Sequence, residues 1–150
     1  FILDIVGNPI YEKDKQYLLE VKEMINKFNL DKHINFLNNC KINEVPGVYN
    51  SHDLSINLCP TGGMDKVVLE SLACGTPVIV FNKAFSNILK NYKELFILDN
   101  ESREELSKKI FDIVNLNEEE KNKITQELSN HILKNFDLKN VITKLINYYE

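Results

Sequence analysis

Short apolar runs alternate with segments of helical periodicity along the chain. The runs of strand length occupy residues 1–6, 34–37, 54–58, 77–81 and 95–98. They read as continuous apolar segments rather than as strict alternation, which is typical of parallel strands covered on both faces. Between the first two runs, apolar residues recur on one helical face from Tyr17 to Phe28. This order predicts an α/β fold with a doubly wound, Rossmann-like parallel sheet.

Start and stop signals predict further helices along the rest of the chain. A helix predicted over residues 64–73 ends at Gly75 and Pro77, which suit helix termination. Another is predicted near residues 85–91, and the last carries one apolar face from Val141 to Tyr149. Two capping boxes, Ser102 with Glu105 and Asn117 with Glu120, predict two more helix starts. Asn43 is a candidate N-cap for a brief helix that ends near residue 52.

Composition narrows the class of protein. Hydrophobic residues make up 43% and charged residues 27% of the chain, so we expect a packed core. The net charge of −4 argues against a nucleic-acid-binding surface. The cysteines Cys40, Cys59 and Cys74 lack the spacing of a disulfide framework or a zinc site, which indicates a reducing, cytoplasmic setting.

The 150 residues correspond to a single domain, 1–150. We find neither a signal peptide nor an apolar run long enough to span a bilayer. The chain opens on Phe1 within an apolar run instead of on Met, so we expect it to be a fragment of a longer protein.

Two strand-to-helix connections carry candidate chemistry, because open parallel sheets bind ligands outside the carboxyl ends of their strands. The first is Gly7-Asn8-Pro9, which is either a plain turn or a phosphate-side turn. The second places Gly62 and Gly63 just before a helix, where backbone N–H groups and the helix dipole favour a phosphate.

Two charged residues follow the glycines. Lys66 lies in the first helical turn, where the dipole opposes a cation by about 0.3–1 kcal/mol, so a bound anion would explain its position. The alternative is a solvated lysine paired with Glu70. Glu70 itself is either an ordinary surface carboxylate or a group that binds sugar hydroxyls. The GxGxxG, P-loop, GxSxG and HExxH motifs are all missing from the sequence.

The segment PTGGMDKVVLESLACGTPVI at residues 60–79 resembles the donor-binding signature of glycosyltransferase family 4, the glycosyl transferases group 1 domain. The strands at 3–7 and 33–37 and the element at 49–56 resemble other parts of that domain. The resemblance implies the C-terminal half of a GT-B enzyme, in which two Rossmann-like domains face each other. Such an enzyme transfers a sugar from a nucleotide-diphosphate donor to an acceptor hydroxyl, with retention, in glycan or glycolipid synthesis.

The resemblance also implies the roles of particular residues. The diphosphate and sugar would be held by Gly62, Gly63, Met64, Asp65 and Lys66, and the ribose by Glu70. The nucleobase would lie against the loop Asn38, Asn39, Cys40, Lys41 and Ile42. Gly7 and Asn8 stay a candidate phosphate-side turn because of their place after the first strand. We expect no metal and no other cofactor.

From the resemblance we expect the acceptor-binding domain to be the missing partner, and the family's opening strand and helix to precede Phe1. Membrane association would belong to that missing half. Alone, the fragment should transfer little sugar.

Two departures from the family pattern leave alternatives open. The first of two glutamates separated by seven residues falls on Gly62, and a glycine after the second strand is replaced by Asn38. Asp65 is the nearest carboxylate to the missing acid, and either takes part of its role or acts as a pair with Lys66. The alternatives to a transferase are a sugar-nucleotide epimerase of the same build and a noncatalytic α/β nucleotide-binding or interaction module.

Overall fold

The computed structural model describes residues 1–60 and 62–149. Thr61, part of the turn predicted before the third helix, lies outside the described residues. The chain forms two compact units, one over Phe1–Val45 and one that begins at Pro46.

The first unit is a β-α-β segment. Strand β1 (Leu3–Val6) is followed by helix α1 (Glu12–Lys27) and strand β2 (Ile34–Leu37). The strands pair in parallel, with Leu3 opposite Ile34 and Val6 opposite Leu37. Helix α1 begins where the Asp14 carboxylate accepts the Tyr11 backbone N–H at 3.0 Å.

The cover predicted for both faces of the sheet is incomplete at this strand pair. Five of its six apolar residues keep between 37% and 41% of their surface exposed, namely Leu3, Ile5, Val6, Phe36 and Leu37, and the sixth, Ile34, is half-buried. Helix α1 contributes a single buried residue, Ile25.

The second unit holds the core. Helix α2 (Val45–Asn50) comes first, followed by strand β3 (Ser55–Asn57), helix α3 (Lys66–Ala73) and strand β4 (Val78–Val80). Strands β3 and β4 pair in parallel, with Ser55 opposite Val78, so α3 is the crossover of a β-α-β unit. Every residue of β4 is buried.

Four short helical segments follow β4 and lead into three longer helices. The short segments are a 3₁₀ turn at Lys83–Phe85, α4 (Ser86–Leu89), a 3₁₀ turn at Lys90–Tyr92 and α5 (Lys93–Phe96). The long helices are α6 (Arg103–Val114), α7 (Glu118–Phe136) and α8 (Leu138–Tyr149). The core packs β4, the short segments and α3 against α6 and α7, with its largest buried side chains at Phe85, Phe96, Leu72 and Ile79.

Both predicted capping boxes mark real helix starts. Ser102 Oγ accepts the Glu105 N–H at 3.2 Å, and Asn117 Oδ1 accepts the Glu120 N–H at 2.8 Å. The Glu105 carboxylate instead accepts the backbone N–H of Asp99 at 2.9 Å, so the first box is only half formed.

Three predicted elements differ from the structure. The fifth strand at 95–98 is wrong: Phe96 closes α5, and only an isolated parallel bridge joins Ile97 to Val80. The helix near 85–91 is broken because Lys90 has a positive φ of 38°. The helix predicted from residue 64 begins at Lys66, with Asp65 as its N-cap residue.

Helix α8 is exposed along its length. None of its residues is buried, and its apolar residues include Leu145 and Ile146, which are more than half exposed. Within residues 1–60 and 62–149, no helix has the length and apolar character needed to cross a membrane.

Candidate functional site

The loop between β3 and α3 lies at the carboxyl ends of two parallel strands. The chain turns out of β3 where the Cys59 N–H donates to Asn57 Oδ1 at 3.1 Å. Gly62, Gly63 and Met64 are exposed. Their backbone N–H groups donate to none of the residues that the structure describes. The loop therefore presents free donors at the edge where α/β sheets bind ligands.

The two glycines leave room beside this loop. Neither Gly62 nor Gly63 has a positive φ, and a Cβ atom added at either would meet no atom within 4 Å. Neither backbone conformation nor packing against the described residues requires glycine here. Close approach of a ligand to the backbone is a third reason for glycine, and the open space is compatible with it.

Helix α3 begins at the end of this loop with its cation unpaired. Lys66 is exposed and forms no ion pair with any residue in the described part of the chain. The lysine–glutamate pair that the spacing left open is therefore not formed. Glu70 is also exposed and lies one turn further along the same helix face.

Asp65 occupies the N-cap position without capping the helix. Its backbone is extended (φ −71°, ψ 122°), and its side chain accepts no hydrogen bond from the first turn. Its Oδ2 atom is buried and has no hydrogen-bond partner among the described residues. A buried oxygen without a partner is uncommon and costs stability, so the helix start is not arranged for stability alone.

The Glu70 carboxylate also affects the far end of α3. Burial raises the pKa of the Cys74 thiol, and the negative charge of Glu70 raises it further. Cys74 is therefore mainly a protonated thiol at neutral pH, and its thiolate fraction is smaller than that of an ordinary cysteine.

Side-chain hydroxyl groups join α3 to strand β3, to the turn before β4 and to α2. Ser71 Oγ donates to the Thr76 carbonyl at 2.9 Å and lies 2.7 Å from Ser55 Oγ on β3. The Tyr49 hydroxyl donates to the Val67 carbonyl at 3.0 Å. These contacts fix the helix whose first turn borders the candidate site.

Asn82 holds the loop from the end of β4. It is 3% exposed, and its Nδ2 donates to the Gly63 carbonyl at 2.6 Å. Its Oδ1 accepts the Ala84 N–H at 2.9 Å. Asn82 is not among the residues predicted from the sequence, although its place directly after an apolar strand was a usable signal.

The first unit joins two of the predicted groups. Gly7 has a φ of +129°, and the Asn8 N–H after it donates to Asn39 Oδ1 at 2.9 Å. The turn after β1 and the loop after β2 therefore meet. Ile42 is 89% exposed, and the Lys41 N–H donates to the Glu44 carboxylate at 2.8 Å. Asn38 is exposed and Cys40 half-buried.

An open polar cleft of about 350 Å³ lies at the opposite end of α3. It is lined by Cys74, Gly75 and residues of α7 from Asn122 to Asn130. It contains none of the residues predicted to bind a ligand. Among the described residues, no group of three His, Cys, Asp or Glu side chains could hold a metal ion.

Free loop amides at the start of a crossover helix are the arrangement by which many α/β proteins bind phosphate-bearing ligands. Comparison with known protein families identifies the family to which the chain belongs. Residues 1–130 match the family described as glycosyl transferases group 1, and the chain belongs to that family. No curated protein sequence matches it significantly.

Solved structures of other proteins share the fold of this chain. HepE (Alr3699) of Anabaena, in complex with UDP and glucose, aligns over 99% of this chain with a TM-score of 0.85 and 16% identity. The same protein is known in complex with UDP-glucose. A glycosyltransferase of Rickettsia africae aligns over 99% of this chain with a TM-score of 0.80 and 20% identity.

The chain spans 40% of the length of the Anabaena protein and 39% of the Rickettsia protein. Its fold is that of the C-terminal, Rossmann-like half of GT-B glycosyltransferases. The α/β fold class predicted from the sequence is confirmed.

Proposed function

We propose that this chain is the donor-binding half of a family 4 glycosyltransferase that moves a sugar from a nucleotide-diphosphate donor to an acceptor hydroxyl. One observation carries the proposal. In a chain of the glycosyl transferases group 1 family, loop amides and a lysine that have no partners among the described residues meet at the start of α3.

The proposed phosphate site combines three sources of positive potential. The N–H groups of Gly62, Gly63 and Met64 donate to phosphate oxygens, and the helix dipole adds about half a positive charge. Lys66 supplies a full charge from the first turn. In transfer, these groups stabilise the departing nucleotide diphosphate, which is electrostatic catalysis at the leaving group. We propose that the reaction needs no metal, because this site itself neutralises the diphosphate.

The other predicted site residues contact further parts of the same nucleotide-sugar donor. The Glu70 carboxylate accepts hydrogen bonds from the ribose hydroxyls, and Asp65 stands in for the acid missing at Gly62. Gly7 and Asn8 lie on the phosphate side, and the loop from Asn38 to Ile42 lies against the nucleobase. The acceptor binds a second, N-terminal domain, and the full enzyme works in the cytoplasm in glycan or glycolipid synthesis with retention of configuration.

Calorimetric titration with UDP, GDP and ADP tests the site. We expect one diphosphate to bind, and Lys66→Ala and Glu70→Ala each to weaken it by roughly tenfold, because each removes a hydrogen bond that involves a charged group. Lys123→Ala and Glu119→Ala are matched controls, since both residues are exposed on α7. Equal affinity in all four variants would refute the assigned roles. A loss of affinity in EDTA would refute metal independence.

A noncatalytic binding module is the second candidate, and the glycine at position 62 favours it because the family has an acid there. This module would bind the nucleotide diphosphate in the same loop. The two functions separate in the full-length protein: donor binding with no sugar transfer or donor hydrolysis would favour the module.

A further inference from the structure

Asn82 uses both ends of its side-chain amide inside the protein. Nδ2 donates to the Gly63 carbonyl at 2.6 Å, and Oδ1 accepts the Ala84 N–H at 2.9 Å. With 3% of its surface exposed, Asn82 lies on the inner side of the loop. Asn82 therefore links the end of β4 to the β3–α3 loop.

This contact also fixes a neighbouring donor. The Gly63 carbonyl and the Met64 N–H belong to one planar peptide, and no peptide bond among the described residues is cis. In a trans peptide these two groups point in opposite directions. Because the Gly63 oxygen faces the buried Asn82, the Met64 N–H faces away from it. That N–H donates to none of the described residues, and Met64 is exposed.

We propose that Asn82 is a positioning residue, which turns the Gly63–Met64 peptide so that the Met64 N–H is presented outward as a fixed hydrogen-bond donor. The identity of the acceptor, a phosphate oxygen of a nucleotide diphosphate, rests on the function proposed above. Asn82 does not touch the ligand and acts through the peptide.

The loop needs this contact because it contains two consecutive glycines. Glycine has more backbone freedom than any other residue, and Gly62 and Gly63 have no Cβ atoms to restrict the loop. Without the Asn82 hydrogen bond, the Gly63–Met64 peptide can rotate and the donor loses its fixed direction. A preorganised donor binds more tightly than one that must be ordered on binding.

The test separates the two bonds of Asn82. Asn82→Asp keeps an oxygen for the Ala84 N–H but removes the donor to Gly63. Asn82→Ser keeps a neutral oxygen for the Ala84 N–H, and its side chain, one atom shorter, withdraws the donor from the Gly63 carbonyl. Asn115→Asp controls for the loss of a side-chain amide donor at an exposed site, because Asn115 is exposed and its Nδ2 donates to the Phe111 carbonyl at 2.8 Å, at the end of α6.

The first readout needs no nucleotide. Backbone ¹⁵N relaxation should give the Gly63 and Met64 amides order parameters near those of rigid backbone in the wild type, and markedly lower values in both Asn82 variants. Unchanged order in both variants would overturn the proposal. So would a fall in thermal stability with no change in the loop, which would make Asn82 a cap for the 3₁₀ turn only.

The second readout is UDP affinity. We expect both Asn82 variants to bind UDP about tenfold more weakly, with Asn115→Asp unchanged. Wild-type affinity in a variant whose loop has become mobile would overturn the link between loop order and binding. If the wild type binds none of UDP, GDP and ADP, the proposed function fails, and loop order alone decides the role of Asn82.

Discussion

Leu72 anchors the helix that borders the candidate site, and its truncation should be costly. It is 1% exposed and follows Val68, 0% exposed, by one turn on the same face of α3. This face packs against β4 and α7 in the core of the second unit. The change to test is Leu72→Ala, which removes side-chain carbons from the core without adding a polar group.

The expected loss has two parts. Removing three buried carbons forfeits about 2.4 kcal/mol of transfer free energy, at about 0.8 kcal/mol for each. The void left in a closely packed core adds to this, so that buried Leu→Ala changes cost about 2.7–5 kcal/mol in total. We expect a loss of about 3–4 kcal/mol, a large share of the roughly 5–15 kcal/mol that stabilises a typical domain.

Urea unfolding followed by far-ultraviolet circular dichroism measures this loss as a change in the free energy of unfolding. Leu133→Ala is the matched control, because Leu133 lies on α7 and is 54% exposed. The control should cost about 1 kcal/mol or less. A Leu72→Ala loss no larger than that of the control would refute the assignment of α3 to the core.

Three further predictions concern ionisable groups. Burial raises the pKa of the Cys74 thiol, and the negative charge of Glu70 raises it further. Glu70→Gln should therefore lower that pKa and speed alkylation of Cys74. The Lys83 ammonium lies 2.7 Å from the Asp99 carboxylate and lowers the pKa of Asp99. Lys83→Ala should therefore raise the pKa of Asp99 toward its ordinary value, and ¹³C NMR measures this change. Burial, with Lys90 and Lys134 nearby, lowers the pKa of His131, so stability should fall as pH drops below the ordinary histidine value of about 6.5.

Each of these has a clear contrary result. An unchanged alkylation rate in Glu70→Gln would show that its charge does not reach Cys74. An Asp99 pKa that stays low without Lys83 would assign the shift to another group. For His131 the unfolded state binds the proton more readily, so His131→Gln should reduce the loss of stability between pH 7 and 5. An equal loss in that variant would contradict the assignment.

The sequence was most informative where local signals and chain order agreed. Helices α6 and α7 begin where Ser102 and Asn117 cap them, since these side chains lie next to the amides that they accept. The β3-α3-β4 order follows from the apolar runs and from the stop at Gly75, which has a φ of +79°.

Long-range contacts were beyond the reach of sequence pattern. The apolar run at 95–98 reads as a strand, but its residues are buried by packing at the end of α5, and only Ile97 bridges to β4. The hydrogen bond from Asn82 to Gly63 joins residues 19 apart, so no local spacing encodes it. The predicted ligand roles of Gly62, Gly63, Lys66 and Glu70 remain predictions, although the structure gives all four exposed positions.

Titration of the ¹⁵N-labelled chain with UDP, followed by amide chemical shifts, tests the central claim that the loop before α3 is the donor site. The account predicts saturable shifts that are largest at Gly62, Gly63, Met64 and Lys66. Shifts confined to the polar cleft beside Cys74, or the absence of saturable shifts with UDP, GDP and ADP alike, would contradict it.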